Sequence, residues 1–409
     1  MTNHSRGAAG WVRRFAGGCA GVLVTLALSS PADAGRWDFG GSIAVEGRYF
    51  VDLPQFPDQF ETLQMSGVLE PELRWRSKNR RQQIKIAPFL RVDGSDEERT
   101  HFDVREAFYR RRGRSVELTV GIGKVFWGVA ESRHLVDVVN TADGVEDLDE
   151  EDRLGQPMLV LAFQRDWGRL ELLALPGLRE RTFPGADGRL RTPLPVDTDA
   201  AEYEAGDEER HLAGAIRWSH VLGDFDLGLH GFAGTSRNPV LRADLENGRL
   251  VPYYQRMQQG GLDAQYTKGA WLWKLEALVR GGQGDPFFAT VGGFEYTRYQ
   301  VFGSNADLGL LAEVLYDDRD EDAPFTSFEN DTFVGARLAL NDIQDTSILA
   351  GAILDHENGE ALALIEAERR IGTAFTAAVE ARLILNADQE SLAPFEQDSF
   401  LQGRLAWNY

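Results

Sequence analysis

From residue 36 to the C-terminus, apolar and polar positions alternate with a period of two, the pattern of strands with one apolar face. In Trp271-Leu272-Trp273-Lys274-Leu275-Glu276-Ala277-Leu278-Val279-Arg280 every odd position is apolar, while Lys274, Glu276 and Arg280 share the other side. Phe375 to Leu383 repeats the pattern, with Thr376, Glu380 and Arg382 on the polar face. Leu69 to Arg76 does so again, although Pro71 removes one ladder hydrogen bond and marks an expected bulge. The alternation predicts strands near 36–51, 62–76, 81–93, 101–111, 115–125, 156–165, 168–176, 209–221, 224–235, 254–267, 270–282, 286–302, 305–317, 330–340, 345–355, 361–371, 373–385 and 397–409. That is about 18 strands, or about 16 if one pair merges.

The links between these strands sort by parity. Every second one is tight: Ser77-Lys78-Asn79-Arg80, Arg112-Gly113-Arg114, Asp166-Trp167-Gly168, Leu222-Gly223-Asp224, Lys268-Gly269, Gly303-Ser304-Asn305, Asn341-Asp342-Ile343-Gln344 and Ile371-Gly372-Thr373. Gly and Asn recur in them, as tight hairpins prefer. The other set contains the long links, 52–61, 126–155, 177–208, 236–253, 318–329 and 386–396. Short turns at one rim and long loops at the other require an antiparallel meander. An unrelated string of strands would not produce that asymmetry.

The last strand carries a more specific signal. Leu401, Gly403, Leu405, Trp407 and Tyr409 share one face, Arg404 and Asn408 lie on the other, and the chain stops on an aromatic. This segment resembles the terminal strand of bacterial outer-membrane β-barrels. There the final aromatic, usually Phe, is part of the signal read by the barrel-insertion machinery; here Leu405, Trp407 and Tyr409 occupy those positions, with Tyr replacing Phe. At the other end, Arg13 and Arg14 precede an apolar run from Ala16 to Leu28, then Ala32-Asp33-Ala34 before Gly35. The run is too short for a membrane helix, which needs about 20 residues, and reads as a secretory leader over 1–34. Cys19 lies at the start of that run, not after it, so a lipoprotein signal fits poorly. It is the only cysteine, so no disulfide framework is expected.

Composition agrees. Beyond Leu28 no uninterrupted apolar stretch reaches membrane-helix length. The mean hydropathy of −0.32 conceals an apolar half of each strand. The expected fold is therefore all-β: a closed antiparallel transmembrane barrel over 35–409, with short periplasmic turns and long extracellular loops. The resemblance is to the porin type and identifies no substrate-specific group. It implies a location in the outer membrane, lipid and lipopolysaccharide around the wall, and the barrel-assembly machinery during biogenesis. A homotrimer, common among porins, is also implied, though no residue marks a subunit interface. Phe39, Tyr49, Trp75, Trp218, Trp271 and Tyr296 lie near strand ends, where interfacial girdles form.

A barrel of about 18 strands is too wide for wall side chains to fill. The link 126–155 has an apolar centre, Leu135-Val136-Asp137-Val138-Val139, and is expected to fold inward, as the third long loop of general porins does. It carries Asp137, Asp143, Glu146, Asp147, Asp149, Glu150, Glu151 and Asp152, and faces expected wall bases Arg74, Arg76, Lys85, Arg91, Arg105 and Arg111. Such an arrangement would set a transverse field across a constriction and select solutes by charge. The blander reading is that these charges pair and pin the wall. Across the lumen, Lys274, Glu276, Glu380 and Arg382 mix both signs, so net charge does not decide cation or anion preference.

The formal charge of −21 excludes nucleic acid as an electrostatic partner, and its excess acid gathers in loops such as 199–209 and 317–322. The histidines at 101, 134, 211, 220, 230 and 356 form no metal spacing, and Gly121 to Lys124 lacks the rest of a phosphate loop. Ser132, His134 and Asp137 are a weak coincidence for a rim hydrolase. No catalytic residue, cofactor or metal is expected. The expected activity is passive diffusion of small hydrophilic or charged solutes; the alternative is a non-conducting barrel that anchors surface loops as an adhesin or scaffold.

Overall fold

The computed structural model describes residues 35–327, 329–387 and 392–409; the expected leader, 1–34, lies outside the described residues. The strands in chain order are β1 (Arg36–Phe50), β2 (Leu63–Arg76), β3 (Gln82–Asp93), β4 (His101–Arg112), β5 (Val116–Gly123), β6 (Gln156–Arg165), β7 (Gly168–Pro176) and β8 (Glu202–Tyr203). They continue as β9 (Leu212–Leu222), β10 (Phe225–Thr235), β11 (Val240–Asp244), β12 (Arg249–Tyr254), β13 (Arg256–Lys268), β14 (Trp271–Gly281) and β15 (Phe287–Arg298). The last are β16 (Asp307–Asp317), β17 (Asn330–Ala339), β18 (Ser347–Asp355), β19 (Ala361–Ile371), β20 (Phe375–Leu385) and β21 (Phe400–Asn408). Eighteen of them form one sheet closed on itself. The other three, β8, β11 and β12, make a small separate sheet within the links 177–208 and 236–253, where the sequence pattern predicts loops.

Each expected strand is present within a few residues at either end, so the count is 18 and not 16. Every barrel strand pairs antiparallel with its sequence neighbours in the wall, and β1 pairs with β21 from Ser42↔Asn408 to Phe50↔Phe400. Three further contacts secure that seam. Arg404 Nη1 donates to Glu46 Oε1 (3.1 Å), the Tyr409 amide donates to the Gly41 carbonyl (3.1 Å), and the Tyr409 and Phe39 rings lie 5.5 Å apart. Gly223, Gly269 and Gly372 sit in the tight turns with φ near +64°, a conformation that costs a residue with a side chain about 1–2 kcal/mol.

The wall is apolar outside and charged within. Val45, Val279 and Val314 are each 57% exposed, whereas Glu276 and Glu313 on the same strands as Val279 and Val314 are 0% and 1% exposed. A water-soluble fold would reverse this distribution; a barrel standing in lipid requires it. Trp37, Trp75, Phe225, Tyr266, Trp271, Tyr296 and Trp407 cluster around the short-turn rim, with Trp271 stacked on Trp273 at 5.7 Å and Phe225 on Tyr266 at 4.4 Å.

Pro71 does not cause the expected bulge. It pairs with Gly41 in unbroken register, and Leu69↔Leu90 and Leu73↔Ile86 keep one register on its other side. The irregularity lies one strand on, where Ala87 pairs with Glu106 but Pro88 pairs with Val104, leaving Arg105 as the extra residue. Because side chains alternate, that insertion turns the remainder of β4 over.

Ala44 and Ala406 oppose each other across the seam and are buried, 1% and 5% exposed. Directly opposed antiparallel residues have Cα atoms about 4.5–5.5 Å apart, within disulfide range. Ala44→Cys with Ala406→Cys is therefore expected to oxidise within the folded chain and shift its mobility on a non-reducing gel. Ala44→Cys with Ala377→Cys, one strand further round and on the outer face, should stay reduced.

Candidate functional site

The link between β5 and β6, residues 126–155, runs through the barrel interior and bonds to inward-facing side chains on several walls. Asn140, 1% exposed, ties its two ends together: its amide accepts from Val125 N (2.9 Å) and donates to the carbonyls of Gly123 (3.0 Å) and Leu154 (2.8 Å). The apolar centre packs inward. Trp127, Val136, Val138 and Val139 form a buried cluster with Met158, Leu175, Phe232 and Met257 of β6, β7, β10 and β13. Hydrophobic burial thus carries the middle of the segment, and polar contacts carry its turns.

On the β14–β17 side, the turns are held by carboxylates that accept from backbone. Glu276 Oε1 accepts from Val129 N (2.6 Å) and Ala130 N (2.8 Å), and Oε2 accepts from Val136 N (3.1 Å). Gly128 permits this approach, with φ +136° and a Cβ position that would fall 2.9 Å from Glu276 Oε1. Glu313 accepts from Glu131 N (2.9 Å), Ser132 N (2.8 Å) and Ser132 Oγ (2.6 Å). Glu131 then reaches Arg337 (2.5 Å) and Lys274 (3.5 Å). Non-helical backbone at membrane depth leaves N–H groups that must find partners; these two carboxylates supply them and are themselves satisfied in return.

On the β1–β4 and β20 side, loop carboxylates meet wall arginines nearly one to one. Asp143 pairs with Arg105 (2.6 Å), and Glu146 accepts a fork from Arg91 (3.0 and 2.5 Å). Asp147 pairs with Arg48 (2.7 Å), and Asp149 with Arg382 (2.7 Å). Arg91 also donates to Glu46 of β1, so one guanidinium joins loop and two strands. Asp143 has a second basic neighbour, the imidazole of His101, at 3.5 Å. Against the effect of burial, His101 and Arg105 hold its carboxyl well below the ordinary aspartate value.

Four of the eight loop carboxylates are thus placed against wall bases. Glu150 pairs instead with Arg181 of the link 177–208, and Glu151 with His134 of its own segment (2.9 Å). Asp137 is 9% exposed beside Arg153 (3.4 Å), and the Asp152 carbonyl accepts from Asp143 N (2.7 Å). Among the expected wall bases, Arg91 and Arg105 meet the loop. Arg74 pairs with Glu72 (2.5 Å) and Lys85 with Glu72 (3.2 Å) and Glu106, and with Arg76 they line a separate cavity at the short-turn rim. Arg111 is not on the inner wall: it opposes Gln82 on the outer face, and Arg110 and Arg112 take the inward places because of the Arg105 bulge. Glu380 forms an ion pair with Arg382 (3.1 Å). Leu405, Trp407 and Tyr409 share the outer face, 50%, 44% and 37% exposed. Ser132 and His134 turn to Glu313 and Glu151, so the hydrolase coincidence is not assembled.

Sequence reasoning missed Arg48, which alternation with Glu46 could have placed inside. It also missed Arg189, 3% exposed, which carries the link 177–208 across the barrel mouth to Asp398 (2.6 Å) and the Glu61 carbonyl (2.7 Å). No local pattern announces such a contact. Beyond the inward segment, a cavity of about 1340 Å³ opens toward the long-loop rim, lined by Glu150, Arg181, Arg237 and Arg382 together with Phe333 and Leu364.

Glu276→Ala would leave three loop N–H groups unpaired, each worth about 1–3 kcal/mol. Hydrogen exchange at Val129, Ala130 and Val136 should accelerate by at least two orders of magnitude, with exchange in β14 unchanged. A pH dependence follows from Asp137 and His134. Burial pushes the Asp137 carboxyl up to about 6, with Arg153 offsetting part of the effect. Burial opposes protonation of His134, but Glu151 holds its pKa above the ordinary value. Both groups bind a proton more tightly with the segment seated, so their contribution to seating is full below about pH 4 and weakens as pH rises, through about 4–6 for Asp137 and above that for His134. Loop exchange, corrected for intrinsic rate, should rise between pH 5 and 7, and Asp137→Asn should reduce the lower part of that rise, which Asp152, also pushed up by burial to about 6, shares.

No protein-family profile and no curated protein sequence matches this chain. Solved structures do. A BenF-like porin from Pseudomonas fluorescens Pf-5 superposes with a TM-score of 0.52 at 8% identity, covering 93% of this chain and 99% of that one. OccK3 (OpdO) of Pseudomonas aeruginosa gives 0.51 at 10% identity over 91% and 95%, and OccK11 (OpdR) of the same organism 0.50 at 10% over 92% and 95%. At such identities the likeness is one of fold, and the fold is the closed 18-stranded barrel of porin type.

Proposed function

We propose that this protein is an outer-membrane channel for passive diffusion of small hydrophilic or charged solutes, with the segment 126–155 as its constriction. Short turns then face the periplasm and long loops the exterior, with lipid and lipopolysaccharide around the apolar wall and the assembly machinery reading Leu405, Trp407 and Tyr409. The observation that carries this reading is the course of 126–155. It crosses the interior between carboxylate anchors on β14 and β16 and guanidinium anchors on β1, β3, β4 and β20, with a cavity of about 1340 Å³ on the long-loop side and one of about 380 Å³ at the short-turn rim. A wide barrel narrowed by a fixed segment is a sieve.

Charge selection in this reading comes from Asp149, Glu150 and Glu151, which line the outer cavity beside Arg181 and Arg382. Most loop carboxylates are engaged with a base, so the field available to a solute is what these pairs leave over. A second reading is favoured by the same closeness of packing: Val136 and Val139 are 0% exposed, and a segment bonded this completely can also act as a plug. The barrel would then serve to display the links 177–208 and 236–253.

Planar-bilayer conductance of the refolded protein separates the two. Stable ohmic steps support a channel; a folded, heat-modifiable barrel without conductance supports the display scaffold. In the conducting case, replacing Asp147, Asp149, Glu150 and Glu151 with Asn or Gln frees Arg48, Arg181 and Arg382, and should move the reversal potential in a salt gradient toward anion preference. An unmoved potential would place the narrowest point elsewhere.

A further inference from the structure

The second cavity, about 380 Å³ at the short-turn rim, is not used by the constriction described above. It is lined by Arg74, Arg76, Arg80, Lys85, Arg110 and Arg112, with Gln83, Phe108 and a single carboxylate, Glu106. In a chain of charge −21 this concentration is local: the turn Ser77–Arg81 and the run Arg110–Arg114 contain no acid at all. The carboxylates within ion-pair reach are Glu72, Glu106 and Glu117. Glu72 takes Arg74 (2.5 Å) and Lys85 (3.2 Å), Glu106 takes Lys85, and Glu117 takes Arg112 (2.6 Å) and Arg110 (3.7 Å). Six cations against three carboxylates leave an excess of three positive charges. Arg76 and Arg80 have no acidic partner among the described residues, and the buried Arg74 Nε makes no hydrogen bond.

We propose that this cavity is a binding site for a small organic polyanion, a di- or tricarboxylate or a phosphate ester, at the short-turn mouth of the barrel. Guanidinium groups offer paired N–H donors that match carboxylate or phosphate oxygens two at a time. An excess of three charges favours a multivalent ligand over a monoanion. The volume lies at the low end of ligand pockets and exceeds what a bare inorganic ion fills. Phe108, 4% exposed, backs the cavity, and Arg110 stacks over its ring at 4.8 Å, which holds that guanidinium at the cavity wall. The Arg105 bulge creates the site, because it brings Phe108, Arg110 and Arg112 to the inner face together. Neither β4 alternation without that bulge nor the inward segment 126–155 would produce it.

The test is titration calorimetry of the refolded full barrel in detergent micelles, with citrate and with inorganic pyrophosphate, at about 0.1 M salt to screen diffuse attraction. This readout requires no ion conduction, so it stands even if the barrel proves to be a display scaffold. Saturable binding of one polyanion per barrel is expected, with acetate giving no saturable heat. The tighter of the two probes distinguishes a carboxylate from a phosphate ligand. Arg76→Gln with Arg80→Gln removes two exposed side chains that hold no ion pair, so the barrel keeps its fold, and affinity should fall about tenfold or more. Arg369→Gln removes a cation elsewhere on the short-turn side, where Arg369 pairs with Asp342, and should leave affinity unchanged. Absence of saturable binding for both polyanions, or an equal loss in Arg369→Gln, would overturn the proposal.

Discussion

In hydrocarbon no water is present to satisfy a free N–H or C=O, so a sheet can stand in lipid only if it has no edges. The pairing of β1 with β21 meets that condition, and the rest of the molecule depends on it. Once Phe50 opposes Phe400 and Ser42 opposes Asn408, the register of every intervening strand is constrained, because a slip of one residue would turn a charged face to lipid. The Glu46–Arg404 ion pair and the Tyr409–Gly41 hydrogen bond lie at this seam, and β21 is paired on both sides, with β1 and with β20. Terminal strands elsewhere fray; here the end of the chain is a wall of the barrel.

Closure creates a second demand. A ring of this size encloses more space than its own side chains fill, and irregular backbone can occupy that space only if its polar groups are paired. The segment 126–155 answers with two chemistries on two sides. Where its backbone N–H groups face the wall, the wall offers Glu276 and Glu313; where its side chains are acidic, the wall offers Arg48, Arg91, Arg105 and Arg382. Removing either partner of such a pair strands a charge in a poorly solvated interior, which costs more than the intact pair contributes. The interior is therefore specified by mutual satisfaction rather than by net attraction, and small changes in protonation act on the seating of the whole segment.

The net charge of the chain hides an axial asymmetry. Acidic loops gather toward the long-loop side, where the cavity carries both signs, and an acid-free run of arginines sits at the short-turn rim, so the two mouths differ in charge. Part of that difference arises from where the bulge at Arg105 falls on β4, which supplies Arg110 and Arg112. A single inserted residue exchanges Arg111 for Arg110 and Arg112 on the inner face, and with them the character of one mouth.

Strand existence, number and face are legible along the chain because they are local: a period of two is printed in Trp271–Arg280 and Leu401–Tyr409 whatever those strands pair with, and the parity of link lengths reports the meander. What a loop does after leaving the wall is not local. Arg189 meets Asp398 and Glu150 meets Arg181 across long sequence separations, and no spacing encodes either contact. The same limit explains the errors at Pro71 and Arg111. A proline announces a lost hydrogen bond, but which strand absorbs the irregularity depends on how three neighbouring ladders fit together. The sequence by itself thus determined the barrel, its closure and its inside-out polarity, since these follow from alternation and from the chemistry of lipid. The tertiary structure alone decided which interior charges meet, because that depends on register across strands and on the path of one segment through the space they enclose.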